Sequence, residues 1–281
     1  MKTIEIMGVQ VDAVTAPEAL VGLREGLQAG KRLQVVTVNN EMIMRAQKEP
    51  AFKRVINAAD LRVADAAGVV WAAKYLQQPL QGPFKGIRAH TQAFTNLVWL
   101  LVWPRRVKTE IKETVPGSDL AVDLAGMCEE FGYRLFLLGG EEGIAEQAGR
   151  KLRDMFPGLQ VSGAMPGSPD RSKDTQVLRR IRTAGAQVLL VAYGAGKQER
   201  WIARNLSKLP KPMVAVGVGG TLDYLAHGVP GAGGRRPPPG IVRQRGLEWL
   251  WRLLTQPARW RRIVTALPVF VTRVIRHKRT R

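Results

Sequence analysis

Four stretches of the chain are apolar without alternation: RLQVVTVNN (32–40), YRLFLLGG (133–140), AQVLLVAYGAG (186–196) and PMVAVGVGG (212–220). Strands covered on both faces have this pattern, because neither side of the strand meets water. Between and around them lie segments with helical period: TAPEALVGLREGLQAG (15–30), EMIMRAQKEPAFKRVINAA (41–59, interrupted by Pro50), AAGVVWAAKYLQ (66–77), SDLAVDLAGMCEEFG (118–132), EEGIAEQAGRKLRDMFPG (141–158), TQVLRRIRTAG (175–185) and KQERWIARNLSKL (197–209). DLRVAD (60–65) and LQVSGAMPG (159–167) add two short strands. Strands separated by helices predict βαβ units and therefore a parallel sheet. Thr15 is the expected N-cap of the first helix and Gly30 its stop, and Ser118 is expected to open the 118–132 helix. At the N-terminus, TIEIMGVQVDAVT (3–15) alternates and predicts a strand or hairpin. The fold class is α/β, a Rossmann-like parallel sheet flanked by helices.

Two regions break the rhythm. Residues 79–113 hold Pro79, Gly82, Pro83, Gly86 and Pro104, the apolar FTNLVWLLVW (94–103) and the basic PRRVK, and predict an insertion: a loop with a short amphipathic element. Residues 228–245, GVPGAGGRRPPPGIVRQR, predict a linker or mobile loop. The core then spans 1–227, and 246–281 forms a basic appendage. There Trp260, Ile263, Val264, Leu267, Val271, Val274 and Ile275 recur at helical spacing, while Arg261, Arg262, Arg273 and Arg276 lie largely elsewhere on the wheel. Such a helix suits an anionic lipid interface; the other reading is that its stripe packs on the protein's own core.

Charge sharpens this picture. The 281 residues carry a formal charge of +20, and from Arg235 onward Glu248 is the only acid. So basic a chain seeks anions: nucleic acid, acidic headgroups or phosphorylated ligands. No zinc-finger, helix-turn-helix or RNA-binding signature accompanies the charge, so nucleic acid is not the expected partner. One cysteine (Cys128) and three scattered histidines leave no metal cage in the sequence. The first residues lack a signal-peptide core, and the 94–103 decad is about half of the ~20 residues a membrane span needs. The expectation is a cytoplasmic protein that lies on a membrane without crossing it.

Ligands of a parallel sheet bind outside the carboxyl ends of its strands. That rule selects Thr37, Asn39 and Asn40, then Asp65, then the glycine turns LGGEEG (138–143, with Gly139 and Gly140), YGAGKQE (193–199, with Gln198 and Glu199) and GVGGTLD (217–223, with Gly219 and Gly220). Glycine turns let backbone N–H groups approach a phosphate. Three of them in a basic protein point to a nucleotide-type ligand, but none has Walker A or dinucleotide spacing, so no cofactor is expected. Asp65 is either a helix N-cap or a general base, and the two are compatible. No D-x-D occurs, so bound phosphates would be met by arginines, amides and helix ends.

TVNNEMI (37–43), VADAAGVVWAAK (63–74), VPGSDL (115–120), LFLLGG (135–140), GAGKQERWI (194–202), VGVGGTLDYLAHG (216–228) and GLEWLWRLLTQPARWRR (246–262) occur in that order. Together they resemble the WecG/TagA/CpsF glycosyltransferases, glycosyltransferase family 26, from about residue 4 to 265 with a gap near 80–112. The resemblance implies a metal-independent inverting transferase with no cofactor. Its donor would be UDP-N-acetylmannosamine or a related UDP-sugar. Its acceptor would be a polyprenyl-diphosphate-linked N-acetylglucosamine, in the synthesis of teichoic acid or another surface polysaccharide. It also implies a membrane-contacting appendage and homo-oligomers. Asp65 falls on the family's catalytic aspartate and Thr37 on its pocket threonine, with Asn39 in the same motif and Gln198 and Glu199 near the donor. Arginines of the tail (Arg252, with Arg235 or Arg236) would neutralise the departing diphosphate. Three departures stand out: Asp65-Ala66 replaces the family's D-G, RRPPP (235–239) replaces its R-A-P, and Gly196 replaces its proline before KQE.

Overall fold

The computed structural model describes residues 2–80, 85–102, 110–227 and 260–280, with backbone alone for 85, 97–102 and 260–267. Arg235, Arg236, Arg252, the predicted linker and the Trp249/Trp251 segment lie outside the described residues.

The chain opens with a hairpin of β1 (Thr3–Ile6) and β2 (Val9–Asp12), turned by Met7 and Gly8, both at positive φ. That is the primed turn whose twist matches a two-residue hairpin. Then follow α1 (Ala16–Gln28), β3 (Arg32–Val38), α2 (Asn40–Lys48), α3 (Pro50–Asn57), β4 (Leu61–Ala64), α4 (Ala67–Gln77), α5 (Lys85–Val102) and α6 (Gly117–Phe131). The second half runs β5 (Leu135–Gly139), α7 (Ile144–Met155), β6 (Val161–Met165), α8 (Asp174–Thr183), β7 (Val188–Ala192), α9 (Lys197–Asn205), β8 (Met213–Gly217) and α10 (Thr221–Ala226). A last helix, α11, covers Trp260–Arg279. Strands β3 to β8 form one six-stranded sheet in the order β4-β3-β8-β7-β5-β6, and every neighbouring pair is parallel.

The lack of alternation in the strand sequences has a direct cause. Val35, Leu137, Leu190 and Val216 point into a core shared with α1, α6, α7 and α10. Their neighbours Val36, Leu138, Leu189 and Ala215 point into cores on the opposite face. Thr15 caps α1 in a capping box with Glu18, and Gly30 follows its end at positive φ, both as expected. Pro50 begins α3 and so separates it from α2. The 118–132 helix starts earlier than expected: Gly117 is its first residue and Pro116 its cap, because Pro116 is extended and Ser118 is already helical.

Two expectations are corrected. The 79–113 stretch is not mainly loop: α5 is an 18-residue helix. Among the α5 residues whose side chains are described, the buried ones are Ala89, Ala93 and Asn96, two small and one polar, so that part of the helix carries little hydrophobic signal. Trp71 Nε1 and Tyr75 Oη of α4 donate to the carbonyls of Ala93 (3.3 Å) and Ala89 (3.1 Å), and Asn96 pairs with Gln78. The described part of the basic tail packs on the protein. Phe270 and Val274 are fully buried, and Phe270 meets Trp71 edge-on at 6.4 Å between ring centroids. Lys278 Nζ donates to the Tyr75 carbonyl and to Gln92 Oε1, and lies 4.0 Å from the centroid of the Tyr75 ring. Burial pushes its pKa down to about 8. Val271, Val274 and Ile275, expected on a lipid-facing stripe, therefore face α4 and α5.

Candidate active site

β3 and β4 end side by side, Val38 opposite Ala64, so their following residues meet at the same edge of the sheet. Thr37 is the last residue but one of β3, on the same face as Val35. It is 6% exposed and its hydroxyl donates to the Gly217 carbonyl at the end of β8 (3.3 Å). Asp65 follows β4, and its amide donates to the Val38 carbonyl (2.9 Å). It is not itself the N-cap of the helix that follows. That cap is Ala66, which supplies no side-chain bond and sits at φ −140°, extended backbone open to any residue. The absence of the family's glycine at 66 therefore leaves the turn intact.

Asp65 reaches across to α6, where its Oδ1 accepts from the Gly117 amide at 2.9 Å. Gly117 is the first residue of a 15-residue helix, whose N-terminal amides and dipole favour a carboxylate. A Cβ at Gly117 would come 3.3 Å from Thr37 Oγ1, so glycine lets the helix end approach the threonine closely. Asn39 caps α2 through Met42 N (3.0 Å), and its Nδ2 lies 3.5 Å from Asp65 Oδ2. Thr37, Asn39, Asp65 and Gly117 thus converge. The first three were expected; Gly117 was missed as a site residue, though its VPGSDL segment and the Pro-Gly pair at a helix start were visible.

Gln198 and Glu199 are buried beside this group. Gln198 Oε1 accepts from the Gly219 amide (3.0 Å), and its Nε2 donates to Glu199 Oε1 (2.8 Å). Glu199 Oε2 accepts from the Gly196 amide, and the residue is fully buried. Burial raises the Glu199 pKa, against the opposing hydrogen bonds from Gln198 and Gly196. Gly196 stands at φ +84°, a conformation closed to the proline found there in the family, and a Cβ would collide with the Arg45 guanidinium. Gly220 is exposed and caps α10.

Gly139 and Gly140 end β5. A Cβ at Gly139 would meet the Ala192 carbonyl oxygen at 2.7 Å, so its glycine is required by the neighbouring strand. β5 is four strands from β4, roughly 19 Å at the usual inter-strand spacing. The expected residues therefore line one edge of the sheet, with Asp65 at one end and the Gly139–Gly140 turn toward the other. Among the described residues, no group of three or more His, Cys, Asp or Glu is placed to hold a metal ion.

A cluster of this kind on an α/β sheet fits many chemistries, and comparison with known proteins selects among them. The profile of the Glycosyl transferase WecG/TagA/CpsF family matches residues 4–97 and 95–281. The chain belongs to this family. It is a glycosyltransferase. A Bacillus spizizenii protein named N-acetylglucosaminyldiphosphoundecaprenol N-acetyl-beta-D-mannosaminyltransferase is 28% identical over 253 residues, covering 90% of this chain and 82% of the relative. A Staphylococcus aureus protein of the same name is 27% identical over 280 residues, covering 98% of this chain and 93% of the relative.

Proposed function

We propose that this glycosyltransferase moves N-acetylmannosamine, or a closely related sugar, from a UDP-sugar to a polyprenyl-diphosphate-linked N-acetylglucosamine, with inversion and without a metal. The observation that carries the reading is the convergence of Asp65, Thr37, Asn39 and the α6 N-terminus at the ends of β3 and β4. The relatives' names supply the transferred sugar and the acceptor.

In this mechanism the acceptor hydroxyl attacks the anomeric carbon from one face while UDP leaves from the other. Asp65 takes the hydroxyl proton as the new C–O bond forms, help worth roughly 10²–10⁴-fold. Gly117 N holds Oδ1 and so fixes the carboxylate plane. Thr37 lines the pocket, and the Gly139–Gly140 and Gly219–Gly220 turns, with Gln198 and Glu199 behind them, form the donor side. Growing charge on the departing diphosphate is met by backbone amides and by Arg252 with Arg235 or Arg236. The test is UDP release from purified protein in EDTA, with UDP-N-acetylmannosamine and a polyprenyl-diphosphate N-acetylglucosamine. Acceptor-dependent release supports the reading. Release only on adding a divalent cation overturns metal independence, and release only with another UDP-sugar moves the donor.

A lipid-linked acceptor calls for a membrane-facing side, and we place it on the outward faces of α5 and α11. Ile87 and Phe94, seven residues apart and so on one helical line, are 70% and 69% exposed. On α11, Val269 is 51% exposed and shares its face with Arg273 and Arg276. Neither helix contains an acidic residue, which suits an anionic surface. No helix among the described residues is long and apolar enough to cross a membrane. The I87S/F94S variant is expected to sediment less with phosphatidylglycerol vesicles while its turnover with a short-chain soluble acceptor is unchanged. Equal sedimentation would move the contact elsewhere.

A further inference from the structure

We infer that Glu199, which touches no substrate, is a positioning residue that sets the orientation of the Gln198 amide and through it holds the Gly217–Gly220 turn against Thr37. The inference rests on the transferase reading for its kinetic test.

The residues form one continuous chain of hydrogen bonds across three strand ends. Glu199 is the third residue of α9, and its Oε2 accepts from Gly196 N, as the glutamate of a capping box does. Capping alone needs one oxygen. The other, Oε1, accepts from Gln198 Nε2 at 2.8 Å. That contact settles which way the Gln198 amide points, because a carboxylate only accepts and must face the NH₂ group. Gln198 Oε1 then faces Gly219 N, at 3.0 Å, and a backbone amide only donates. Two residues earlier, at the start of the same turn, the Gly217 carbonyl accepts from Thr37 Oγ1 at 3.3 Å. The Gln198 side chain also fills the space beneath Gly217, where a Cβ would lie 2.6 Å from its Nε2. Gln34 Nε2 of β3 pins the Glu199 backbone carbonyl at 3.0 Å. Glu199 is fully buried and Gln198 is 3% exposed, so water does not stand in for either partner.

The alternation of donors and acceptors makes the chain sensitive to one atom. In E199Q, the new amide oxygen still serves Gly196 N, and the cap survives. The new NH₂ group then faces the NH₂ of Gln198. Relief requires the Gln198 amide to flip, which turns its NH₂ onto Gly219 N–H and releases the turn. In the exchange variant Q198E/E199Q, the amide at position 199 donates to the carboxylate at position 198. The other oxygen of that carboxylate accepts from Gly219 N, so complementarity returns with the charge moved one residue.

The experiment compares kcat and KM for UDP release, together with the melting temperature, for wild type, E199Q, Q198E/E199Q and Q198A. Displacement of a pocket by about an ångström costs up to about a hundredfold in rate. The expected result is a fall of about tenfold to a hundredfold in kcat for E199Q and Q198A, and recovery of most of it in the exchange variant. A cap with no further role predicts unchanged kcat in E199Q, and that result would overturn the inference. So would equal losses in E199Q and the exchange variant, each folded. Should E199Q fail to fold, Q198A carries the same test, with unchanged kcat as the refuting outcome. Hydrogen exchange at the Gly219 amide is the readout independent of turnover. It is expected to quicken in E199Q and to slow again in the exchange variant. Slow exchange in both refutes the relay even if no donor is turned over; quickened exchange without turnover leaves the relay standing and removes the transferase reading.

Discussion

The two ends of β4 treat a carboxylate in opposite ways. At the start of the strand, Asp12 is 1% exposed and accepts from Thr3 Oγ1, Arg62 N, Arg62 Nε and Arg62 Nη2, at 2.8 to 3.1 Å. A carboxylate has about four acceptor positions, and these donors fill them. The remaining Arg62 nitrogen donates to Asn57 O and Ala59 O. At the other end, Asp65 is partly exposed, and the Gly117 amide holds its Oδ1. The first arrangement ties the hairpin to the sheet edge and leaves nothing for a ligand. The second fixes a carboxylate through a backbone donor and leaves it within reach of solvent. Under the proposed mechanism, strand ends of one sheet thus divide between holding the fold and carrying the chemistry, in the direction expected for parallel sheets.

The sharpest way to break that contrast is to neutralise each carboxylate. Asp65→Asn is expected to lower UDP release by about 10²–10⁴-fold, the range of a lost general base, with a melting temperature close to wild type. Asp12→Ala strands the Arg62 guanidinium, 13% exposed, without its partner. Breaking a buried ion pair in this way costs about 3–5 kcal/mol. Denaturant unfolding should show that loss, while turnover per folded molecule stays near wild type. A large stability loss in the Asp65 variant, or a catalytic loss in folded Asp12→Ala, would erase the distinction.

A smaller effect sharpens it. Thr37→Val keeps the shape and removes the hydroxyl that binds the Gly217 carbonyl. A neutral hydrogen bond contributes about 0.5–1.5 kcal/mol. Turnover should fall by up to about tenfold with little change in fold, midway between the two carboxylates. Unchanged kcat and KM would reduce Thr37 to packing.

How much of this was legible in the sequence depends on the size of the side chains involved. The parallel sheet was visible because Val and Leu, with Phe136, Met213 and Ala215, fill both faces of β3, β5, β7 and β8. Asp65 and Thr37 were visible because they stand at the carboxyl ends of strands. The α5 helix was not, because Ala89, Ala93 and Asn96 carry the packing of its described side chains while Trp71 and Tyr75, in another element, supply the bulk. The tail stripe was found, yet its period is the same whether it meets lipid or protein. Only the position of Phe270 against Trp71 decides for the described part. Gly117 was hidden for a different reason: its amide acts, and a glycine gives no side-chain clue to which carboxylate lies opposite. The pairing of Asp65 with α6 spans 52 residues, beyond any local pattern.

The smallest expected effect concerns pH and sets Glu199 against Asp174. Burial tends to raise the Asp174 pKa, but hydrogen bonds from Arg204 and Trp201 outweigh it and hold the group below 3.8. Its stabilisation is present above 3.8 and is lost as pH falls through the lower folded value. Glu199 is the reverse case, its folded pKa raised above 4.5 by burial. Between 4.5 and that folded value the native chain holds a proton that the unfolded chain releases. Ionised Glu199 therefore costs stability above this window, and acidification through it recovers the loss. The same proton turns one carboxylate oxygen into a donor and weakens the hold on Gln198, so turnover should fall where stability gains. Melting temperatures of wild type and E199Q, measured from pH 7 downward, isolate the group because all other titrations are shared. Wild type should gain on the variant as pH falls through the window, before the Asp174 loss begins. Parallel curves would mean that Glu199 titrates alike in both states, and that its burial carries no electrostatic cost.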